Sequence, residues 1–404
     1  MKYIKSNFFV EKVNLHKLAK KFDTPLYCYS YEKLKKNINN FKLHFSKLNP
    51  LICFAIKSNS NLNIIKEVKK LGLGADVVSK GELMQAIKAG INPNKIVFSG
   101  VGKTYSELKY AVDKKILLIN SESKSEVIEI EKIAKSKKRK INIGIRLNPN
   151  TDAKTISQIS TGKKENKFGV DEKTFLDLVL YVKKSKNLNL KCLSVHIGSQ
   201  ILNNRPYSKM LIVIDKIIKK SNHTFEYIDL GGGMGIDYLH NNNKFNLKKY
   251  SLNIQKFLKK NNSKIIFEPG RSIIGNAAIL VSKIIYIKKG YKKNFVILDS
   301  AMNDLIRPAL YNAVHKIIPL KKNKISAKKP YEFVGPICES TDKFATIRKF
   351  QKLHEKEFIA ICDVGAYGTS LTSNYNVRPK PMEILIKGSK IQIINKRQKL
   401  SELM

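Results

Sequence analysis

Leu51-Ile52-Cys53-Phe54-Ala55-Ile56-Lys57-Ser58-Asn59 is the stretch on which the fold turns. Its uninterrupted apolar run reads as a fully buried strand, of the kind found in parallel sheets. The run ends in lysine. A lysine placed where a buried strand opens into a loop is held in position and partly desolvated. Desolvation favours the neutral amine, a nucleophile able to condense with an aldehyde. The plainer reading is a side chain that snorkels out of the strand end, and the rest of the chain decides between the two.

Outward from this strand, short apolar runs alternate with lysine-rich amphipathic stretches from about 51 to 270. The predicted strands are Leu51–Ile56, Ala75–Val78, Ile96–Ser99, Ile116–Ile119, Ile141–Leu147, Leu193–Ile197, Tyr227–Leu230 and Ile265–Phe267. Helical patterns fall between them, among them Leu62–Leu71, Gly81–Ala89, Ser123–Ser136, Glu172–Lys184, Tyr207–Lys220 and Leu247–Lys260. Such alternation implies a parallel sheet, and eight units imply a closed (β/α)8 TIM barrel; an open doubly wound sheet is the alternative. Beyond Ile273 short strands separated by Gly, Pro and Asn take over, and they predict a C-terminal β-barrel or sandwich. Pro25–Tyr29 is strand-like, precedes a helix over Tyr31–Phe45, and is expected to join the β domain. The expected division is a barrel over 31–272 and a β domain over 1–30 and 273–404.

Composition narrows the function. Of 404 residues, 76 are Lys or Arg and 32 are Asp or Glu, a net charge of +44. Nucleic-acid binders favour arginine in a stripe with interleaved aromatics. Here the charge is mostly lysine, spread along the whole chain, so a solvated basic surface is expected and no nucleic-acid partner. No apolar run is long enough to span a membrane, and no signal-peptide pattern opens the chain. The five cysteines are scattered without CxxC spacing, which points to a reducing cytoplasm, no disulfide frame and no metal site.

In a (β/α)8 barrel the chemistry sits at the carboxyl ends of the strands. The unusual residues of this sequence fall there: Lys57 after strand one, Asp76 on strand two, His196-Ile197-Gly198-Ser199-Gln200 at strand six, Asp229-Leu230-Gly231-Gly232-Gly233 at strand seven and Glu268-Pro269-Gly270-Arg271 at strand eight. Each has a structural alternative: a satisfied core histidine, a turn-capping glutamate, a tight glycine turn. Together they converge on one cofactor. Bare glycine amides suit a phosphate, with Arg271 and Ser199 assisting. Lys57 suits an aldehyde, Glu268 a basic ring nitrogen, and His196 a ring face. That set describes pyridoxal 5′-phosphate. The glycine run lacks GxGxxG spacing, so a dinucleotide is not indicated.

The same segments resemble the fold-type III pyridoxal-dependent amino-acid decarboxylases, over essentially the whole chain. Lys167-Phe168-Gly169, Arg307-Pro308-Ala309-Leu310-Tyr311, Gly335-Pro336-Ile337-Cys338-Glu339-Ser340 and Gly365-Ala366-Tyr367-Gly368 add to the likeness. Phe54 stands where the family usually has tyrosine. Within the family, the chain is similar to the branch acting on meso-2,6-diaminopimelate. The resemblance implies that Lys57 carries the cofactor and that Asp76, His196, Ser199, Gly231, Gly232, Gly233, Glu268, Gly270, Arg271 and Tyr367 bind it. Arg271, Arg307, Tyr311, Glu339 and Tyr367 are expected to contact substrate. Cys338 is expected to donate a proton from the partner subunit of a homodimer. The nearest alternative is an ornithine- or arginine-type decarboxylase, whose substrates lack the distal carboxylate that Arg307 would bind; that branch has a shorter aspartate where Glu339 stands. A non-catalytic pyridoxal-binding homologue is the alternative of a different class, disfavoured because Lys57 and Cys338 are both present.

Overall fold

The computed structural model describes residues 1–153, 161–163, 165–291, 293–323, 325 and 327–404. Its contacts divide the chain into two units. One comprises Ile38–Ile236 and Asn243–Ser272; the other comprises Met1–Asn37, Asp237–Asn242 and Ile273–Met404.

The first unit is a closed barrel of parallel strands: Leu51–Ala55, Gly74–Val77, Ile96–Phe98, Leu118–Ser121, Ile141–Arg146, Leu188–Ser194, Tyr227–Asp229 and Lys264–Phe267. Closure is made where Ile266 and Phe267 of the last strand pair with Leu51 and Ile52 of the first. This excludes the open sheet. Cys53, Val97, Leu118, Cys192 and Ile266 form an apolar cluster in its core. The helices bury their apolar stripes; Lys124–Ser136, for example, buries Val127, Ile130, Ile133 and Ala134. Their lysines occupy the remaining faces, which is where much of the +44 charge resides.

The expected strand bounds shift most at the sixth strand. The sixth strand begins at Leu188 and ends at Ser194. Its first half alternates apolar and polar residues and carries a register shift between Leu190 and Cys192, so it lacks the continuous apolar run of its neighbours. A helix at Tyr105–Asp113, fixed by a capping box between Thr104 and Glu107, follows the third strand.

In the second unit, strands run in the order Lys343–Gln351, Lys328–Val334, Asn294–Leu298, Ala278–Lys289, Leu26–Ser30, Met382–Lys387 and Lys390–Asn395. Ala278–Lys289 is the spine. Its first half pairs with Leu26–Ser30 and with Phe358–Cys362, and its second half pairs with Asn294–Leu298. The early strand Leu26–Ser30 is buried throughout, which its apolar and aromatic sequence Leu-Tyr-Cys-Tyr-Ser favours. A short helix, Arg307–Tyr311, interrupts the β succession; Pro308 starts it and a left-handed Asn312 stops it.

Candidate active site

Lys57 lies one step past the first strand, in a 3-10 turn over Ile56–Ser58. Its Nζ donates to Asp76 Oδ2 at 2.7 Å, with the aspartate side chain fully buried. Asp76 Oδ1 is buried with no hydrogen-bond partner. The lysine is therefore aimed by an ion pair rather than left to snorkel.

Behind it is a buried acidic layer. Asp229 Oδ1 accepts from the Gly231 amide at 3.0 Å. Its Oδ2 accepts from Asn120 Nδ2 at 2.9 Å and Ser194 Oγ at 3.3 Å. Glu268 Oε1 accepts from Ser99 Oγ at 3.2 Å. Burial pushes the Glu268 carboxyl well above the usual range, and Asp229 and Asp76 push it further. Burial likewise raises Asp229. Burial thus favours the proton-bearing form in this Glu268–Asp229 pair, an arrangement suited to exchanging a proton with a basic ligand atom.

His196, just past the sixth strand, is held neutral. Burial drives its imidazole well below the usual range, and the charges of Arg146 and Lys57 add to the effect. Its Nδ1 accepts from the Gly232 amide at 3.2 Å, which places the ring proton on Nε2. The glycine turn needs its glycines. Gly231 has φ +63, and a Cβ there would sit 2.6 Å from His196 Nδ1. Gly233 has φ +89, and a Cβ would meet the Gly198 carbonyl at 2.3 Å. Tyr207, on the helix after the sixth strand, donates from its hydroxyl to the Gly232 carbonyl at 2.8 Å. Arg271 Nη2 and Nε reach Ser199 Oγ at 3.1 and 3.3 Å, and Arg271 opens the short helix that follows Gly270. An arginine, a hydroxyl and a turn without Cβ atoms form an anion cradle.

A further group eluded sequence reasoning. Glu122, buried at the end of the fourth strand, accepts from the Gly100 amide at 2.9 Å, the Gly169 amide at 3.0 Å and Arg146 Nη1 at 2.8 Å. One carboxylate thereby ties together the loops after the third, fourth and fifth strands. Glu82 accepts from the Val78 amide at 2.8 Å and is pushed up to about 7, chiefly by burial. The available signal was a charged residue within a few positions of the end of a predicted barrel strand; Ser99 and Asn120, being uncharged, gave none.

In the second unit, Arg307 is buried and donates to His315 Nε2 at 2.7 Å. Tyr311 ends the same short helix. Cys338 is exposed. Glu339, also exposed, accepts from Thr341 Oγ1 at 2.9 Å and from the Tyr375 hydroxyl. The turn carrying them is braced by Asp342, whose carboxylate accepts from the Ile337 amide at 2.8 Å and the Met302 amide at 2.7 Å. Tyr367 adopts a left-handed backbone, φ +56, uncommon for a bulky residue and a frequent mark of functional sites.

The residues present fit pyridoxal 5′-phosphate. An aimed amine, a buried carboxyl with a raised pKa, a neutral ring face and an anion cradle share one barrel mouth, and Asp76 keeps an unused buried acceptor. Residues 31–275 match the family described as pyridoxal-dependent decarboxylase, pyridoxal binding domain. Over the full length, the chain is 43% identical to a diaminopimelate decarboxylase of Helicobacter pylori, covering 96% of this chain and 97% of that protein. It is 40% identical to the corresponding protein of Aquifex aeolicus, covering 98% and 95%. The crystal structure of the Helicobacter pylori diaminopimelate decarboxylase complexed with L-lysine superposes with a TM-score of 0.92 at 43% identity, over 96% of this chain and 98% of that one. The chain belongs to the pyridoxal-dependent decarboxylases, and among them to the diaminopimelate decarboxylase family.

Proposed function

We propose that this protein decarboxylates meso-2,6-diaminopimelate to L-lysine and CO2 with pyridoxal 5′-phosphate as cofactor, the last step of lysine biosynthesis. The observation that carries the reading is the Lys57–Asp76 pair, whose charges act on the buried Glu268 carboxyl, in a chain related end to end to diaminopimelate decarboxylases. The cofactor, when bound, supplies an electron sink for the carbon that loses CO2.

The chain's own residues do the rest. Lys57 provides the amine that holds the cofactor's aldehyde carbon. Glu268 would give its proton to the ring nitrogen and, as the carboxylate, hold it there, with Asp229 raising the basicity of that carboxyl. His196 offers an uncharged face for stacking. Arg271, Ser199, Gly270, the Gly231–Gly233 amides and Tyr367 hold the phosphate. For substrate, Arg307 pairs with the distal carboxylate and Glu339 with the distal ammonium through charge-assisted bonds, with Arg271, Tyr311 and Tyr367 as further contacts. Cys338 hands a proton to the reacting carbon.

The exposure of Cys338 and Glu339 on a single chain supports a homodimer in which each barrel mouth is completed by the partner's Cys338 loop. The expected location is the cytoplasm; among the described residues no helix is long and apolar enough to cross a membrane. The test is CO2 release by the holoenzyme from meso-diaminopimelate and from ornithine. Turnover of the first and little of the second is expected; efficient use of ornithine would overturn the substrate assignment.

A further inference from the structure

One hydrogen bond of Arg307 goes to an imidazole rather than to a carboxylate. His315 is 2% exposed, with Nδ1 2.8 Å from the Cys362 carbonyl oxygen and Nε2 2.7 Å from Arg307 Nη1. A guanidinium only donates and a carbonyl only accepts. The ring proton must therefore sit on Nδ1, and the Nε2 lone pair must receive the arginine. Only the neutral imidazole, in one tautomer, satisfies both contacts. Tyr238 packs edge-on against His315 at 5.2 Å and lies 4.7 Å beneath the Arg307 guanidinium. The left-handed turn at Asn312, φ +51, returns the chain so that two residues eight apart can meet. A glutamate or aspartate at this position would also orient the guanidinium, but it would cancel its charge. A neutral acceptor orients without cancelling.

We propose that His315 is the positioning residue that sets selectivity for a substrate with a distal carboxylate, by presenting Arg307 in one orientation through a contact that leaves its charge available. This rests on the assignment of Arg307 to the distal carboxylate. L-Lysine retains that distal amine and carboxylate, because CO2 leaves from the other centre, so the product can probe the contact without turnover.

The experiment uses holoenzyme carrying Arg307→Ala, His315→Gln, His315→Asn or His315→Glu. It measures KM and kcat on meso-diaminopimelate, L-lysine affinity by calorimetry, the absorbance of bound cofactor and thermal melting. Gln keeps an acceptor near the Nε2 position and should hold KM within about threefold of wild type, whereas Asn falls short of Arg307 and Glu neutralises it, so both should raise KM and weaken L-lysine by about tenfold or more. Their kcat and cofactor absorbance should change little. A merely structural role predicts instead that Glu, which restores an ionic contact, behaves like wild type. If the Glu variant, folded and loaded with cofactor, keeps wild-type KM and L-lysine affinity, the proposal is overturned, whatever the Asn variant does. If Arg307→Ala leaves both quantities unchanged while the wild type is active, the distal-carboxylate assignment falls instead.

Discussion

The barrel mouth and the loops of the β unit solve opposite problems. In the barrel, ionisable groups are paired or desolvated: half-buried Lys57 with buried Asp76, buried Arg146 with buried Glu122, and Glu268, whose carboxyl burial pushes well above the usual range. In the β unit, Cys338 and Glu339 stand exposed on a turn braced from below by Asp342. Pre-organisation is complete in the first region. In the second, the scaffold is rigid while the chemistry faces outward. On the proposed function, the difference corresponds to a division of labour, with cofactor chemistry assigned to one chain and proton delivery to what the exposed turn meets.

That contrast can be broken at its strongest point first. Lys57→Ala should reduce CO2 release to background and abolish the borohydride-reducible link to the cofactor; a variant with near-wild-type turnover would remove the barrel's claim to the chemistry. Glu268→Gln should keep the cofactor bound but lower kcat by roughly 10²–10⁴, since the amide cannot hold the ring proton. A change below about threefold would mean that the acidic layer is structural rather than catalytic. In the β unit, Arg307→Ala should act mainly on KM, with a loss of roughly 1.5–3 kcal/mol for a charge-assisted pair. Steady-state kinetics at saturating cofactor would check it.

The division between chains is tested by mixing. Lys57→Ala and Cys338→Ala proteins, each nearly inactive, should recover up to about a quarter of wild-type activity once subunits exchange at a statistical ratio, because half of the heterodimer's sites are intact. No recovery after exchange demonstrated by mass would place both residues in the same site of one chain. The smallest effect is expected for Tyr207→Phe. Loss of its bond to the Gly232 carbonyl should weaken cofactor affinity by roughly 0.5–1.5 kcal/mol, read by equilibrium dialysis, with the fold intact.

The barrel was legible in the sequence because its rules are local. A βα unit spans a few tens of residues, its strand is a continuous apolar run, and its candidate site residue lies at the strand end or within a few positions of it. Lys57, Asp76, His196 and Glu268 all obey this. The register of the sixth strand was less legible because its outer half is not continuously apolar. Glu122 was missed for another reason: its partners are Gly100 after the third strand, Arg146 at the end of the fifth and Gly169 in the loop beyond it, and only the closed barrel brings them together. The role of His315 was equally invisible, since a histidine eight residues after an arginine carries no periodicity. In the β unit the strands could be found one by one, but their order could not, because each pairs across long stretches of sequence.

The position of Leu26–Ser30 has a consequence for how the chain is made. This strand is buried between Ala278–Lys289 and Met382–Lys387, yet it leaves the ribosome some 250 residues before the first of them. At roughly 5–20 residues per second, an apolar, strand-forming segment waits for tens of seconds without its neighbours. Over the same interval every strand of the barrel is synthesised. The nascent chain therefore carries an unpaired sticky edge while its largest unit folds, and holding that edge out of unwanted pairings is a task for chaperones during synthesis rather than for the finished protein.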